Sequence, residues 1–274
     1  MTILAENQLK SSVSMKQFRE NVFSDMMALE LIIANIYTSY CEGLTDYVLF
    51  DGGAHRGYHT QKMAALAGCE RVYAVEADPH MAETFRKLMK KNFSRGEIKK
   101  VELIEKALQN SPNCKSITWR SSSSHQGRSC MVTDNEKGTI WHARDDMIYR
   151  EETTVPATTI DKILAPESRL VPFLKLDLEG ADLMAVRGAK KTLQEKRPII
   201  AFENSVHAPD VHGFTLMQMI NYFNSLGYVP LNFLGQPMVK RNWFGLFEAW
   251  AAPIEKVSWL SEALAKNASE AFPS

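Results

Sequence analysis

The sequence predicts an α/β fold in which a mostly parallel sheet carries helices on both faces. Apolar runs of strand length alternate with helical patterns along much of the 274 residues, as expected of a doubly wound sheet. The segment 47–60, Tyr-Val-Leu-Phe-Asp-Gly-Gly-Ala-His-Arg-Gly-Tyr-His-Thr, joins a strand to a helix through a glycine-rich turn. A second strand then ends at Glu76, so the chain contains a nucleotide-binding βαβ unit.

The first half of the chain supplies three of the predicted strands. Residues 15–40 carry apolar side chains at helical spacing and predict one or two helices that form a cap or a dimer surface. Asp78-Pro79 provides an N-cap and a proline at the first helical position. The predicted elements that follow residue 44 are a strand ending at Asp51, a helix over 58–66, a strand over 71–76, a helix over 80–92 and a strand over 101–107.

The second half continues the alternation after one interruption. The interval 111–159 is polar and irregular in pattern, so we interpret it as an insertion, of the kind that often forms lids or substrate loops. We divide the chain into an N-terminal helical extension (1–44), one domain (45–254) and a C-terminal tail (255–274). The later elements are strands over 171–177, 198–203, 228–233 and 243–251 and helices over 181–194 and 214–226.

Composition limits the functions that are open to this protein. Hydrophobic residues make up 45% of the chain, which is enough for one domain with a full core. Lys plus Arg equals Asp plus Glu at 32 each, so we expect no nucleic-acid partner. No stretch approaches the roughly 20 apolar residues of a membrane span, and the N-terminus does not resemble a signal peptide. We expect a cytoplasmic protein with reduced cysteines.

The glycine turn at 51–57 reads Asp-Gly-Gly-Ala-His-Arg-Gly. Methyltransferases that use S-adenosylmethionine (SAM) carry Asp/Glu-x-Gly-x-Gly-x-Gly here, and only His55 departs from that spacing. The dinucleotide fingerprint of NAD enzymes would need glycine in place of Ala54. The spacing favours SAM, while an NAD site and an ordinary turn without a ligand stay open. Glu76, about 20 residues beyond the turn, is placed to accept hydrogen bonds from ribose hydroxyls.

Acidic side chains follow the fourth and fifth predicted strands. If these strands are neighbours, Asp177, Glu203 and Asn204 offer hard oxygen ligands for Mg²⁺ or another divalent cation. Such an ion would lower the pKa of a substrate hydroxyl. Alternatively, Asp177 or Glu179 caps the helix that starts near Ala181, and Asn204 fixes a turn.

A general base is the alternative to a metal. One of Asp177, Glu179, Glu203 or His207 could accept the proton of a hydroxyl near the transferred group. Lys175 could steer an anionic substrate or lower a hydroxyl's pKa if it points into the cleft, but a lysine on a strand face turned to solvent is equally common.

Seven motifs of the chain together carry a family resemblance. The motifs are Asp51-Gly-Gly-Ala-His-Arg-Gly57, Tyr73-Ala-Val-Glu-Ala-Asp-Pro79, Lys106-Ala-Leu108, Thr159-Ile-Asp161, Leu174-Lys-Leu-Asp-Leu-Glu-Gly-Ala-Asp182, Val186-Arg-Gly-Ala189 and Arg197-Pro-Ile-Ile-Ala-Phe-Glu203. In their order and spacing, the chain from about residue 47 to 235 resembles the FkbM family of SAM-dependent methyltransferases. The resemblance implies a class I methyltransferase fold, Rossmann-like with seven strands, and O-methylation of hydroxyl groups.

The resemblance also implies residue roles. The turn and His55 would lie along SAM, Glu76 would hold the ribose, and the motif from Lys175 to Gly180 would border methyl transfer. Asn is usual in the family where this chain has His55, and Val is usual where it has Gly52. The expected cofactor contacts are Asp51, Gly52, Gly53, Ala54, His55, Gly57, Thr60, Glu76, Ala77, Ala107, Leu108 and Asp177, with Ala107-Leu108 passing the adenine.

The acceptor is the least constrained part of this interpretation. Sugar hydroxyls of a cell-surface polysaccharide or nucleotide-linked glycan are our first expectation, and a polyketide or other secondary metabolite is the second. The polar segment 121–127 and the loop 206–213 are candidates for binding the acceptor. A nicotinamide dehydrogenase or a non-catalytic SAM-binding scaffold are the other function classes, since a fold does not fix a function. A homodimer through the N-terminal helices is possible.

Overall fold

The computed structural model describes residues 26–122, 130–131, 149–203, 215–239 and 248–271. The helices are α1 (Met26–Cys41), α2 (Tyr58–Ala65), α3 (Pro79–Asn92), α4 (Arg95–Lys100), α5 (Ile160–Leu164), α6 (Asp182–Arg187), α7 (Lys190–Glu195), α8 (Leu216–Ser225) and α9 (Val257–Ala271). The strands are β1 (Tyr47–Gly52), β2 (Cys69–Val75), β3 (Val101–Ile104), β4 (Ala107–Leu108), β5 (Ser116–Ser122), β6 (Cys130–Met131), β7 (Tyr149–Thr158), β8 (Leu170–Leu176), β9 (Ile199–Glu203), β10 (Tyr228–Leu231) and β11 (Glu248–Pro253).

Seven of these strands form one sheet in the order β10-β11-β9-β8-β1-β2-β3. The pairs among β9, β8, β1, β2 and β3 are parallel, and β11 runs antiparallel to both β9 and β10. All six residues of β1 are buried, as expected for a parallel strand that is covered on both faces. The predicted fold class, a mostly parallel seven-stranded α/β sheet, is confirmed.

The strand order sets the position of the site. From β1 the chain moves first to β2 on one side and later to β8 on the other. In such a sheet a crevice opens beyond the carboxyl ends of the strands at this reversal, and ligands bind there. Asp51, Glu76 and Asp177 lie at or just beyond the ends of β1, β2 and β8.

The insertion at 111–159 is more regular than its sequence predicts. Its described parts form a second sheet in the order β4-β7-β5-β6. The prediction of one strand over 101–107 is wrong at its end, because β3 stops at Ile104 and the amide of Lys106 turns back to the carbonyl of Ile104 at 3.1 Å. Ala107 and Leu108 instead pair with Ala157 and Thr158 of β7. The second sheet therefore begins beside the carboxyl end of β3.

The single helix predicted over 181–194 is two helices, α6 and α7. The helical path is interrupted at Gly188, where a Cβ atom would stand 2.0 Å from the carbonyl oxygen of Gln109. Asp161 then accepts hydrogen bonds from the amides of Lys191 and Thr192 at the start of α7. The last strand, predicted over 243–251, is described from Glu248 onward as β11, and residues 243–247 lie outside the described part.

The apolar face of α1 is buried within the chain. Ile32, Ile36 and Tyr37 belong to the same core cluster as Trp250 of β11 and Leu260 of α9. The segment 255–274, which we treated as a tail, contains α9, and α9 packs against α1. Residues 15–25 of the predicted N-terminal helices lie outside the described part. Within the described ranges, none of the helices has the length and apolarity needed to cross a membrane.

Candidate functional site

A cavity of about 500 Å³ occupies the crevice at the carboxyl ends of the central strands. This volume lies within the range of about 300–1,000 Å³ that is typical of small-ligand sites. Strand ends, the second sheet and the helices α1, α2 and α3 all contribute to it. The lining residues are Glu30, Asp51, Gly53, Ala54, His55, Arg56, Tyr58, His59, Val75, Glu76, Ala77, Asp78, Met81, Lys106, Ala107, Leu108, Gln109, Ile117, Trp119, Met131, Lys175, Asp177, Leu178, Glu179 and Ala181.

The glycine turn is shaped mainly by its own protein neighbours. The amides of Gly53 and Ala54 both donate to the carbonyl of Val75 at 2.9 Å. Gly53 has a φ of 77°, and a Cβ atom there would stand 1.9 Å from the carbonyl oxygen of Asp177. At Gly57, with a φ of 84°, a Cβ atom would meet the ring of Phe85 at 2.2 Å. The glycines allow backbone and core to pack closely.

The expected cofactor contacts divide into two groups. Most of them line the cavity, including His55, Ala77, Ala107 and Leu108. Three residues of the expected set are not among the lining residues, namely Gly52, Gly57 and Thr60. The glycine spacing signals a tight turn, but it does not tell which glycine faces the ligand.

Glu76, which we expected to bind ribose, lies just beyond the end of β2 and lines the cavity. Its Oε2 accepts the amide of His55 and its Oε1 accepts the amide of Asp78, both at 2.8 Å. Burial raises the pKa of Glu76 to about 7, although both amides favour the ionised form. Each carboxylate oxygen retains capacity for a further donor. Glu76 thus ties the glycine turn to the start of α3 and faces the cavity.

A buried lysine lies between two aspartates beside the turn. Lys175 Nζ is 3.2 Å from Asp177 Oδ2, 3.8 Å from Asp51 Oδ1 and 3.4 Å from the carbonyl oxygen of Gly53. Burial acts to lower the pKa of Lys175, but the carboxylates around it, led by Asp177 and Asp51, raise it. Thr60 Oγ1 donates to Asp51 Oδ2 at 2.5 Å. Lys175 therefore points into the cleft as an ammonium, and Thr60 orients Asp51.

The four candidate bases have different surroundings. Asp177 and Glu179 line the cavity, and the side chain of Asp177 is 35% exposed. Glu203 is not among the lining residues; it accepts the amide of Gly180 at 3.0 Å. Burial raises the pKa of Glu203 well above its ordinary value, which favours the neutral acid. His207 lies outside the described part of the chain.

The proposed metal ligands are not seen as a set. Among the described residues, no group of three or more His, Cys, Asp or Glu side chains is arranged to hold a metal ion. Asp177 is engaged by Lys175 and Glu203 by the amide of Gly180, while Asn204 lies outside the described ranges. The described residues therefore give the divalent-cation hypothesis no support.

One carboxylate that lines the cavity, Glu30 of α1, was not indicated by the sequence motifs. Glu30 Oε2 is 2.5 Å from His59 Nε2, and His59 Nδ1 is 3.3 Å from the hydroxyl oxygen of Tyr37. Burial acts to raise the pKa of Glu30, but the hydrogen bond with His59 and the charge of Lys175 lower it. Glu30 is the one charged residue within the sequence 26–41. A lone acid in an apolar helix is the signal that could have identified it.

The cavity wall contains polar atoms that lack partners. Asp51 Oδ1, His55 Nε2 and Trp119 Nε1 are buried and form no hydrogen bond with the described residues. Burial and the neighbouring Arg56 lower the pKa of His55, so its imidazole is neutral. Buried polar groups are nearly always satisfied, so these atoms indicate a polar ligand. Together with Glu76 and the apolar Leu108, they fit an adenosine-containing cofactor such as SAM.

Comparison with known proteins agrees with the motifs. The model of the methyltransferase FkbM domain matches residues 51–230. No curated protein matches the chain by sequence. A methyltransferase FkbM from Methylobacillus flagellatus KT is similar in structure, at 15% identity and a TM-score of 0.47, with 76% of this chain and 43% of that one aligned. The chain thus spans less than half the length of that relative.

Two further structures are similar at comparable levels. A precorrin-6y C5,15-methyltransferase from Geobacter metallireducens GS-15 shows 14% identity and a TM-score of 0.38, with 80% of this chain and 85% of that one aligned. SMU.1697c from Streptococcus mutans, solved in complex with SAH, shows 12% identity and a TM-score of 0.39, with 79% and 95% aligned. The family match covers most of the chain and includes both the glycine turn and the Lys175–Asp177 pair. This chain belongs to the FkbM methyltransferase family.

Proposed function

We propose that the protein is a SAM-dependent O-methyltransferase. The observation that carries this proposal is that Glu76 and the Lys175–Asp177 pair face one cavity at the reversal of the sheet. Glu76 would hold the ribose, and the glycine turn would follow the rest of the cofactor. When bound, SAM supplies an electrophilic methyl group. The chain's own residues then have to bind the acceptor, orient it and take its proton.

Asp177 is the best-placed proton acceptor for an acceptor hydroxyl. Lys175 engages Asp177 Oδ2 at 3.2 Å, which fixes the carboxylate at the cavity wall. Glu179 lines the same space and is the second candidate. Alignment of oxygen and methyl group can lower the barrier by about 7–11 kcal/mol, so the base has to contribute only the remainder.

The acceptor we propose is a sugar hydroxyl. Glu30, Asp177 and Glu179 give the cavity several carboxylate oxygens, which accept hydrogen bonds from neighbouring hydroxyls of a polyol. A hydroxyl of a secondary metabolite is the second candidate on the same grounds. A non-catalytic SAM-binding scaffold would retain Glu76 but would have no need of a proton acceptor at Asp177.

The first test is calorimetric titration of S-adenosylhomocysteine (SAH). We expect the wild-type protein to bind SAH and Glu76→Ala to lose at least about 100-fold in affinity, since a buried acceptor of two hydroxyls is removed. Glu83→Ala, on the exposed face of α3, is the matched control and should bind as wild type. Failure of the wild-type protein to bind SAH would overturn the SAM assignment.

A second experiment addresses catalysis. Methyl-labelled SAM is incubated with glycosides and with phenolic or polyketide alcohols, using wild-type protein and Asp177→Asn. Transfer to a sugar that is lost in Asp177→Asn, with SAH binding retained, supports the proposal. SAH binding without transfer to any hydroxylated acceptor would favour the scaffold.

A further inference from the structure

The second sheet supplies one wall of the cavity. Trp119 of β5 lies directly opposite Met131 of β6 in their antiparallel pair, and Ile117 lies two residues earlier, on the same face of the strand. All three side chains line the cavity. The part of the insertion that the structure describes therefore faces the same space as Glu76.

Two N–H donors on this wall are without a good acceptor. Trp119 Nε1 is buried and forms no hydrogen bond with any described residue. Gln109, 5% exposed, donates from Nε2 to Met131 Sδ at 3.0 Å, and a thioether sulfur is a weak acceptor. Because an unsatisfied buried donor is costly, one donor without a partner beside another on a weak acceptor indicates a ligand that brings acceptor atoms.

The backbone holds this wall in a fixed position beside the sheet. The amide of Gln109 donates to the carbonyl of Thr158 at 2.8 Å, which anchors it to β7. Gly188 packs against the carbonyl of Gln109 from the other side. Gln109 therefore cannot move away from the sheet without breaking these contacts.

The wall continues from the segment that the family resemblance assigns to the adenine. Leu108 lies beside the glycine turn, where a Cβ atom on Gly52 would stand 3.2 Å from its Cδ1, and Gln109 follows it in the chain. Glu76, Leu108 and Trp119 all line the cavity, so a nucleoside that rests its ribose on Glu76 can contact both Leu108 and the second sheet with its base.

We propose that Trp119 and Gln109 bind the adenine base of the cofactor by donating their side-chain N–H groups to its ring nitrogens. The base packs against the apolar side chains of Ile117, Met131 and Leu108. This inference rests on the proposed SAM-dependent function and extends it. It assigns Trp119, near the start of the insertion, to cofactor recognition, whereas the sequence predicted that the insertion forms a lid or substrate loop.

Binding of two nucleoside probes tests this assignment. SAH and 5′-methylthioadenosine, which lacks the amino-acid end, are titrated into wild-type protein, Trp119→Phe and Gln109→Met. We expect each variant to lose roughly tenfold in affinity for both probes by the same factor, because the lost contact is to the base that they share. Trp259→Phe, which changes an indole packed on Tyr40, is the matched control and should bind as wild type.

The outcomes separate the two proposals. Wild-type binding of both probes with unchanged affinity in Trp119→Phe and Gln109→Met would overturn this inference and leave the cofactor assignment intact. A loss for SAH alone would place the two side chains at the amino-acid end and would also overturn it. If neither probe binds the wild-type protein, both proposals fail. Thermal unfolding checks each variant, and if Trp119→Phe is unfolded, Gln109→Met decides.

Discussion

Glu203 and Glu248 lie directly opposite each other on the neighbouring antiparallel strands β9 and β11. Burial raises the pKa of both carboxyl groups well above its ordinary value, and nearby acids, including Asp177 and Asp182, raise it further. Glu248 Oε2 forms no hydrogen bond with the described residues. The two groups are therefore held as neutral acids in a part of the sheet next to the cavity.

This pair predicts that stability falls as pH rises. A carboxyl whose native pKa is raised keeps its proton in the folded state, whereas in the unfolded state it loses the proton above about pH 4.5. The group therefore lowers the free energy of unfolding as the pH rises, until the pH reaches the native pKa. Glu248→Gln should match wild type near pH 4.5 and be more stable at pH 8 by roughly 1–3 kcal/mol. Urea unfolding at both pH values measures this. Glu102→Gln, on the surface, is the control, and an equal gain at both pH values would contradict titration as the cause.

Cofactor affinity should also depend on pH through Glu76. Its pKa of about 7 means that the carboxyl is largely protonated at pH 6, and ribose hydroxyls donate to the ionised form. SAH affinity should therefore rise by about tenfold between pH 6 and pH 8 and then level off. Glu76→Gln should bind more weakly at every pH and without this slope. A slope of the same size in Glu76→Gln would assign the titration to another group.

Removal of the buried ammonium should be costly. Lys175→Met leaves Asp51 and Asp177 facing each other without the cation between them. Breaking a buried ion pair typically costs about 3–5 kcal/mol, and partial exposure of Asp177 favours the lower end. Urea unfolding measures the loss, with the exposed Lys191→Met as control. Addition of Asp177→Asn to Lys175→Met should recover part of the stability; no recovery would mean that packing, and not charge, causes the loss.

Two glycines should respond in opposite ways to alanine. Gly53→Ala would force a Cβ atom to 1.9 Å from the carbonyl oxygen of Asp177 at a φ of 77°, so we expect at least about 3 kcal/mol of destabilisation or loss of soluble protein. Gly96→Ala in α4 meets no atom closer than 3.8 Å and should be neutral or stabilising by up to about 1 kcal/mol. Thermal unfolding compares them. Equal melting temperatures would show that β8 can move away from the turn.

The sequence predicts the parallel core well because local patterns determine it. β1, β2, β8 and β9 each follow from an apolar run closed by a turn, and their bounds agree with the predicted ones to within two residues. Asp51, Glu76 and Asp177 follow from the same pattern, since strand ends in a parallel sheet meet at one edge. All three residues line the same cavity.

The differences arise where distant segments meet. The interruption between α6 and α7 at Gly188 depends on the carbonyl of Gln109, and the early end of β3 depends on the pairing of Ala107 with β7. The entry of Glu30 into the cavity depends on how α1 packs across the sheet. A local pattern contains none of these contacts. Likewise, it could not show that Trp119 lies opposite Met131, beside the expected adenine site.

The placement of β11 between β9 and β10 also has a consequence for biosynthesis. The ribosome synthesises β9 and β10 before residues 248–253. At that stage the two strands lack β11, the strand that lies between them in the folded sheet. The edge of β9 that faces β11 therefore stays unpaired until residues 248–253 have been synthesised. Until then the nascent chain exposes an unpaired strand edge to which chaperones can bind.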